Sequence, residues 1–121
     1  MTPADLLDLP ALQNLVDLDD GACGLVAEMT AIFRDDTPRR LRDIRAAIED
    51  QDAESLSRAA HALKGCAGAI GAKALRLLAA DLEAQGRGGT AAVAPDAMDR
   101  LQRAYEETLV ALEAYCDEHR A

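Results

Sequence analysis

Aromatic side chains are scarce in this 121-residue chain: Phe33, Tyr105 and Tyr115 are the whole complement, and tryptophan is absent. A core must therefore come from aliphatic residues, and the dominance of Ala and Leu favours helix over strand. Cysteine is also rare. Cys23, Cys66 and Cys116 are odd in number and widely spaced, which speaks against a disulfide framework and for reduced thiols. Cys116-x-x-His119 makes half of a metal site with no second pair to complete it, so no bound metal is expected. No apolar run approaches the roughly 18 residues that span a bilayer, and no charged-then-apolar leader opens the chain. These absences predict a cytoplasmic protein, and the short flanks and Met1 predict a complete small protein over a domain excised from a larger one. Positive charge is in deficit too. Thirteen Lys and Arg face 22 Asp and Glu, a formal net charge of −9, which disfavours nucleic acid or an anionic membrane as partner. The local run of Arg34, Arg39, Arg40, Arg42 and Arg45 reads as a solvated helix face among acidic neighbours.

What the chain does have is helical periodicity. At this length one domain, residues 1–121, is expected. Ala11 to Leu18 after Pro10 makes a short first helix packing Leu12, Leu15 and Val16. Asp19 or Asp20 then offers an N-cap for a long segment from about 21 to 50. There Val26, Met29, Phe33, Thr37, Leu41, Ile44 and Ile48 recur at spacings of three and four. The stripe keeps its phase through Pro38, which predicts one helix bent at the proline. Asp52 can cap the next helix, about 53–70, which Gly71 ends in a left-handed stop. A further helix spans about 72–85, with Leu75, Leu78, Ala79 and Leu82 on one face and Gly86 as its stop. A loop follows from Arg87 to Pro95, and the last helix, about 96–118, carries Met98, Leu101, Tyr105, Leu109, Leu112 and Cys116 on one side. No strand-like alternation competes. The expected fold is all-α: an antiparallel up-down four-helix bundle with a short additional N-terminal helix.

The chemistry concentrates in residues 61–71, His-Ala-Leu-Lys-Gly-Cys-Ala-Gly-Ala-Ile-Gly. On a helix turning roughly 100° per residue, Lys64, Gly65 and Gly68 fall within about 60° of His61. Leu56, Ala60, Leu63, Ala67 and Ile70 gather on the opposite side. The imidazole is thus predicted to stand off the apolar face, beside a cation, over backbone with no side-chain bulk. A ring nitrogen with a free lone pair can attack an activated phosphoryl group, and Lys64 one turn on can offset the charge that arrives. Neither residue can activate a phosphoryl donor alone, and no nucleotide-binding glycine loop or metal-binding acid cluster accompanies them. The remaining chemistry must come from a partner. Two glycines inside one helix each cost roughly 0.5–1 kcal/mol relative to Ala. That cost is understandable where a foreign surface approaches the backbone beside His61, with tight helix packing as the alternative.

The run His61-x-x-Lys64-Gly65, with Gly71 ten residues after the histidine, resembles the histidine-containing phosphotransfer (HPt) domain of two-component phosphorelays. Phe33-x-x-Asp36-Thr37-Pro38-x-x-Leu41, the acidic connector at 50–52 and Leu82-Glu83 before the glycine-rich loop extend the likeness over roughly residues 10–118. The resemblance implies that His61 is the phosphoacceptor, loaded from the aspartyl phosphate of one receiver domain and unloaded to another response regulator. It implies that Lys64 steadies the phosphoryl oxygens and that Gly65 and Gly68 make room for the receiver's loops. An apolar docking rim of exposed residues on the long helix and the short first helix, such as Leu12, Leu15 and Ile32, would surround them. The receiver would supply the Mg²⁺, so no metal or cofactor is expected in this chain, and a phosphocarrier of this kind has no kinase activity of its own. The implied partners are receiver domains and a hybrid sensor histidine kinase. With no surplus apolar helix face, a monomer is expected. Cys66 stands where members of the family commonly carry a small residue such as Ser.

Two readings of other classes compete. A non-catalytic helical adaptor would bind a partner without phosphotransfer, but such relatives would be expected to lose the histidine, and both His61 and Lys64 are present. A bundle enzyme with a carboxylate-bridged metal centre needs Glu-x-x-His pairs, whereas the residue three before His61 is Arg58.

Overall fold

The protein is described over residues 2–119 by a computed structural model; positions 1, 120 and 121 of the expected domain lie outside the described residues. Among the described residues there are six helices and no strand. They are α1 (Pro3–Leu6), α2 (Leu9–Leu18), α3 (Gly24–Glu49), α4 (Ala53–Ala69), α5 (Lys73–Arg87) and α6 (Ala97–Glu118). Helix α3 packs on α4 and α6, and α5 packs on α4 and α6, so the four long helices close a ring in chain order. Short connections turn the chain back at 50–52 and 70–72, which gives the up-down arrangement. Helix α2 lies against α3, and α1 against α5 and α6.

The core is aliphatic, as the composition requires. Val26, Ile44, Leu56, Leu63, Leu75 and Leu112 are completely buried. Phe33 supplies the one large buried phenyl ring and packs tilted on Tyr105, with 5.4 Å between ring centroids.

Helix α3 runs through Pro38 without interruption. Proline has no N–H, so the carbonyl four residues back, that of Arg34, loses its helical partner. The Tyr105 hydroxyl donates to that carbonyl at 2.8 Å. A side chain from α6 thus replaces the bond that Pro38 removes. Burial pushes the Tyr105 phenol above its ordinary pKa, which keeps it a donor.

Several boundaries differ from the sequence expectation. There are two N-terminal helices, not one. Pro3 sits in the first turn of α1, and Asp5 accepts from the Thr2 N–H at 3.1 Å and the Thr2 hydroxyl at 2.9 Å. Helix α2 begins at Leu9, because Pro10 fits a first turn and Asp8 caps it by accepting from the Ala11 N–H at 3.1 Å. Helix α3 starts at Gly24, and Cys23, not an aspartate, is its N-cap residue. Asp19 still serves that end from outside, accepting from the Leu25 N–H at 2.9 Å. Gly86 does not stop α5, which continues to Arg87. A Cβ at position 86 would lie 2.7 Å from both the Ala53 carbonyl and the Ser57 nitrogen. Its lack of a side chain therefore lets the backbones of α4 and α5 meet. His119 is half-buried, its ring stacked on Tyr115 at 4.1 Å between centroids.

Candidate functional site

Helix α4 is fixed at both ends by its own sequence. Asp52 accepts from the Ser55 N–H at 3.1 Å and from the Ser55 hydroxyl at 2.7 Å, an N-cap that satisfies a donor of the first turn. At the other end Gly71 adopts φ +72°, the Ala72 N–H reaches the Ala67 carbonyl, and the Gly71 N–H reaches that of Gly68. This is the Schellman closure. Glycine is required there twice over, since a Cβ would also meet the Asp8 carbonyl at 3.3 Å. Between these ends Leu56, Ala60, Leu63 and Ala67 point into the bundle. With that face fixed inward, His61 is carried outward, and its side chain is 64% exposed.

The structure brings His61 and Lys64 together on a third residue. Glu83 of α5 lies among the buried Leu75, Ala79, Leu82 and Gly86, and only 5% of its side chain is exposed. One carboxylate oxygen, Oε2, is 2.5 Å from His61 Nδ1, and the other, Oε1, accepts from Lys64 Nζ at 2.5 Å. Arg87, one turn along α5, donates to Oε2 at 3.4 Å. The Lys64 hydrogen bond is the largest of the influences that hold the Glu83 carboxyl below its ordinary pKa; burial works against it, and the His61 bond and the Arg87 charge work with it. Glu83 is therefore ionised at neutral pH and can only accept. In the neutral form of the His61 ring the proton then sits on Nδ1, which leaves the lone pair on Nε2, the ring nitrogen on the far side from the carboxylate.

Charge at the site departs from that of the molecule. Two cations, Lys64 and Arg87, share one carboxylate beside His61, so the local balance is positive on a chain whose net charge is −9. An anion brought to His61 would meet this excess. Lys64 is about two-thirds buried, and one ammonium proton is engaged by Glu83, leaving two for other acceptors.

The glycines lie open. A Cβ at Gly65 would touch nothing within 4 Å, and one at Gly68 would meet only the flexible Arg76 side chain at 3.3 Å. Of the three expected rim residues, Ile32 on α3 is 59% exposed. It borders a groove between α3 and α4 with Met29, Ala62, Cys66 and Ala69. Leu12 is completely buried, because the opening of α2 is pressed against the Gly71 turn and Leu12 Cγ lies 3.4 Å from where a Gly71 Cβ would be. It cannot face a partner. Leu15 is half-buried and packs on the core.

Sequence reasoning gave Glu83 and Arg87 no role at the site. The signal for Glu83 was present: it is the one ionisable residue in the inward stripe of α5, and a charge there needs a partner. Arg87 follows it by four residues, one helical turn on the same face.

The two solved structures most informative for comparison share this architecture. Histidine-containing phosphotransfer protein B (HptB) from Pseudomonas aeruginosa PAO1 superposes with a TM-score of 0.79 at 25% identity, over 94% of this chain and 96% of that one. The histidine-containing phosphotransfer domain of ArcB from Escherichia coli gives 0.72 at 21% identity, over 95% and 96%; at that identity it speaks for the fold. No curated protein matches the chain in sequence. The family model of the Hpt domain matches residues 28–117, a span that runs from near the start of α3 to the last turn of α6 and so takes in nearly all of the four-helix ring. The chain belongs to the Hpt domain family.

Proposed function

We propose that His61 is the residue on which this Hpt domain, a phosphorelay intermediate, carries its phosphoryl group. The observation that supports this most strongly is an exposed imidazole whose Nδ1 is bound by a buried, ionised carboxylate. Nε2 attacks the phosphorus of an aspartyl phosphate on a receiver domain. The new N–P bond forms as the acyl-phosphate P–O bond breaks, and the aspartate leaves as a carboxylate. No proton need be removed from Nε2, since Nδ1 already carries it. The ring gains positive charge on phosphorylation, and Glu83 offsets that charge through its bond to Nδ1. Lys64, and Arg87 at the edge, face the phosphoryl oxygens with positive charge. The reverse sequence delivers the group to a second receiver.

The partners on this reading are receiver domains of response regulators and a hybrid sensor kinase. The receiver contributes the Asp and its Mg²⁺, and the present chain contributes no kinase activity. Gly65 and Gly68 admit the receiver's loops, and Ile32 with the α3–α4 groove forms the apolar side of the contact. The protein works as a cytoplasmic monomer. Among the described residues no helix is long and apolar enough to cross a membrane.

The experiment is direct. The protein is mixed with a phosphorylated receiver domain and Mg²⁺, and label on this chain is tested for stability in base and loss in acid. His61→Gln abolishes the label while the helical circular dichroism stays intact, because an exposed position contributes little to packing. Undiminished labelling of the substituted protein would place the acceptor elsewhere.

A further inference from the structure

We propose that Cys23 and Cys116 form an oxidisable dithiol that closes to an intramolecular disulfide when the protein meets a peroxide. The two residues are 93 positions apart in sequence, yet Cys23 Sγ lies 3.1 Å from Cys116 Sγ and donates to it. A disulfide requires about 2.05 Å between sulfurs, so they need approach by only about 1 Å. Cys23 is well placed to move. It is the N-cap residue of α3, with no side-chain cap bond of its own. The turn before it contains two residues in the left-handed region, Asp20 at φ +53° and Gly21 at φ +84°. Cys116 stands in the last turns of α6. The backbone that must yield is therefore turn and not mid-helix.

An oxidant can reach the pair. Both cysteines line an open pocket with Gly21, Gly24, Ala27 and His119, and Cys23 and Cys116 retain 8% and 4% exposure. Cys23, the more exposed, reacts first as its thiolate. Its sulfur attacks one peroxide oxygen, an S–O bond forms as the O–O bond breaks, and the second oxygen leaves as hydroxide. Cys116 sulfur then attacks the sulfenic sulfur, and the S–S bond forms as hydroxide leaves. The two hydroxides take up the two thiol protons as water. Two thiols and one peroxide thus give one disulfide and two waters, with two electrons passing from sulfur to oxygen. The product ties the α2–α3 turn to the end of α6 and closes most of the chain into one loop, which constrains the unfolded state. No residue of the His61 site takes part, so this inference stands apart from the phosphotransfer reading.

Purified protein is treated with stoichiometric hydrogen peroxide, alkylated with iodoacetamide and analysed by intact mass and peptide mapping. The expected product has lost the mass of two hydrogen atoms, yields a linked Cys23–Cys116 peptide and keeps one alkylatable thiol, that of Cys66. Its melting temperature is several degrees higher, and dithiothreitol reverses both changes. Cys66→Ser leaves the cross-link unchanged, whereas Cys23→Ser and Cys116→Ser prevent it. Persistence of three alkylatable thiols overturns the proposal. So does oxidation to sulfinic acid without a link, or a link through Cys66. The wild-type peptide map decides the matter even where a serine variant folds poorly.

Discussion

At the scale of single residues, the two glycines beside His61 separate stability from function. Gly65 is a helix-interior residue whose missing side chain is not needed for packing, since a Cβ there meets nothing within 4 Å. Gly65→Ala should stabilise the fold by about 0.5–1 kcal/mol through helix propensity alone. If a receiver's loops need that space, the same substitution slows transfer from a phosphorylated receiver while raising the melting temperature. A variant that is both more stable and as fast as the parent would leave the glycine without a docking role. His61 and these glycines were readable in the sequence because a wheel sorts one helix into an inward and an outward face, and α4 is regular. Glu83 was harder. Its meaning depends on α5 lying against α4 in one register, so that residues 61, 64 and 83 converge. A single-helix pattern contains no such information.

At the scale of elements, α2 to α6 followed from periodicity, whereas the four-residue α1 is too short to show any, and the reasons helices end or touch were less accessible. Gly86 looks like a stop because glycine is common just past a helix end. In the folded chain it is a point where the backbones of α4 and α5 meet, and the Ala53 carbonyl and Ser57 backbone occupy the space of a Cβ. Backbone cannot rotate aside as a side chain can. Gly86→Ala should therefore cost about 1–3 kcal/mol by overpacking, which outweighs the gain in helix propensity. Urea unfolding measures it, and an unchanged or raised midpoint would contradict the close contact. The α3–α6 contact supports a second expectation. Because the Tyr105 hydroxyl replaces the bond that Pro38 denies to the Arg34 carbonyl, Tyr105→Phe should cost about 1 kcal/mol or more. In a Pro38→Ala background the backbone N–H restored at position 38 reclaims that carbonyl, and the cost of Tyr105→Phe should shrink. Equal costs in the two backgrounds would mean that the hydroxyl and the proline are not coupled. The sequence showed Pro38 within an unbroken stripe, which predicts continuity. It could not show which side chain, 71 positions away, completes the helix.

At the scale of the whole molecule, acid sensitivity follows from carboxylates held in their charged form. Glu83 is shifted below its ordinary 4.5 by the hydrogen bond from Lys64, then by that from His61 and the charge of Arg87, against the opposing effect of burial. Asp52 and Asp5 are shifted below 3.8 by backbone and side-chain hydrogen bonds from Ser55 and Thr2. In each case the folded protein holds the proton less tightly than the unfolded chain does. Between the unfolded value and the lower folded value the unfolded state binds more protons, so stability rises with pH in that interval. The contribution of Glu83 is complete above about pH 4.5 and is lost as the pH falls through its lower folded value. Urea midpoints measured from pH 7 downward should therefore stay level with respect to these groups and then fall below about 4.5. Glu83→Gln removes one of the three titrations, so its acid limb should be shallower than that of the parent without becoming flat, because Asp52 and Asp5 still titrate. An acid limb of the same steepness in Glu83→Gln would mean that this carboxylate is not selectively stabilised by the fold. The same protonation strips His61 Nδ1 of its ionised acceptor, so the hold of Glu83 on the imidazole and the stability drawn from Glu83 must fade over one pH interval.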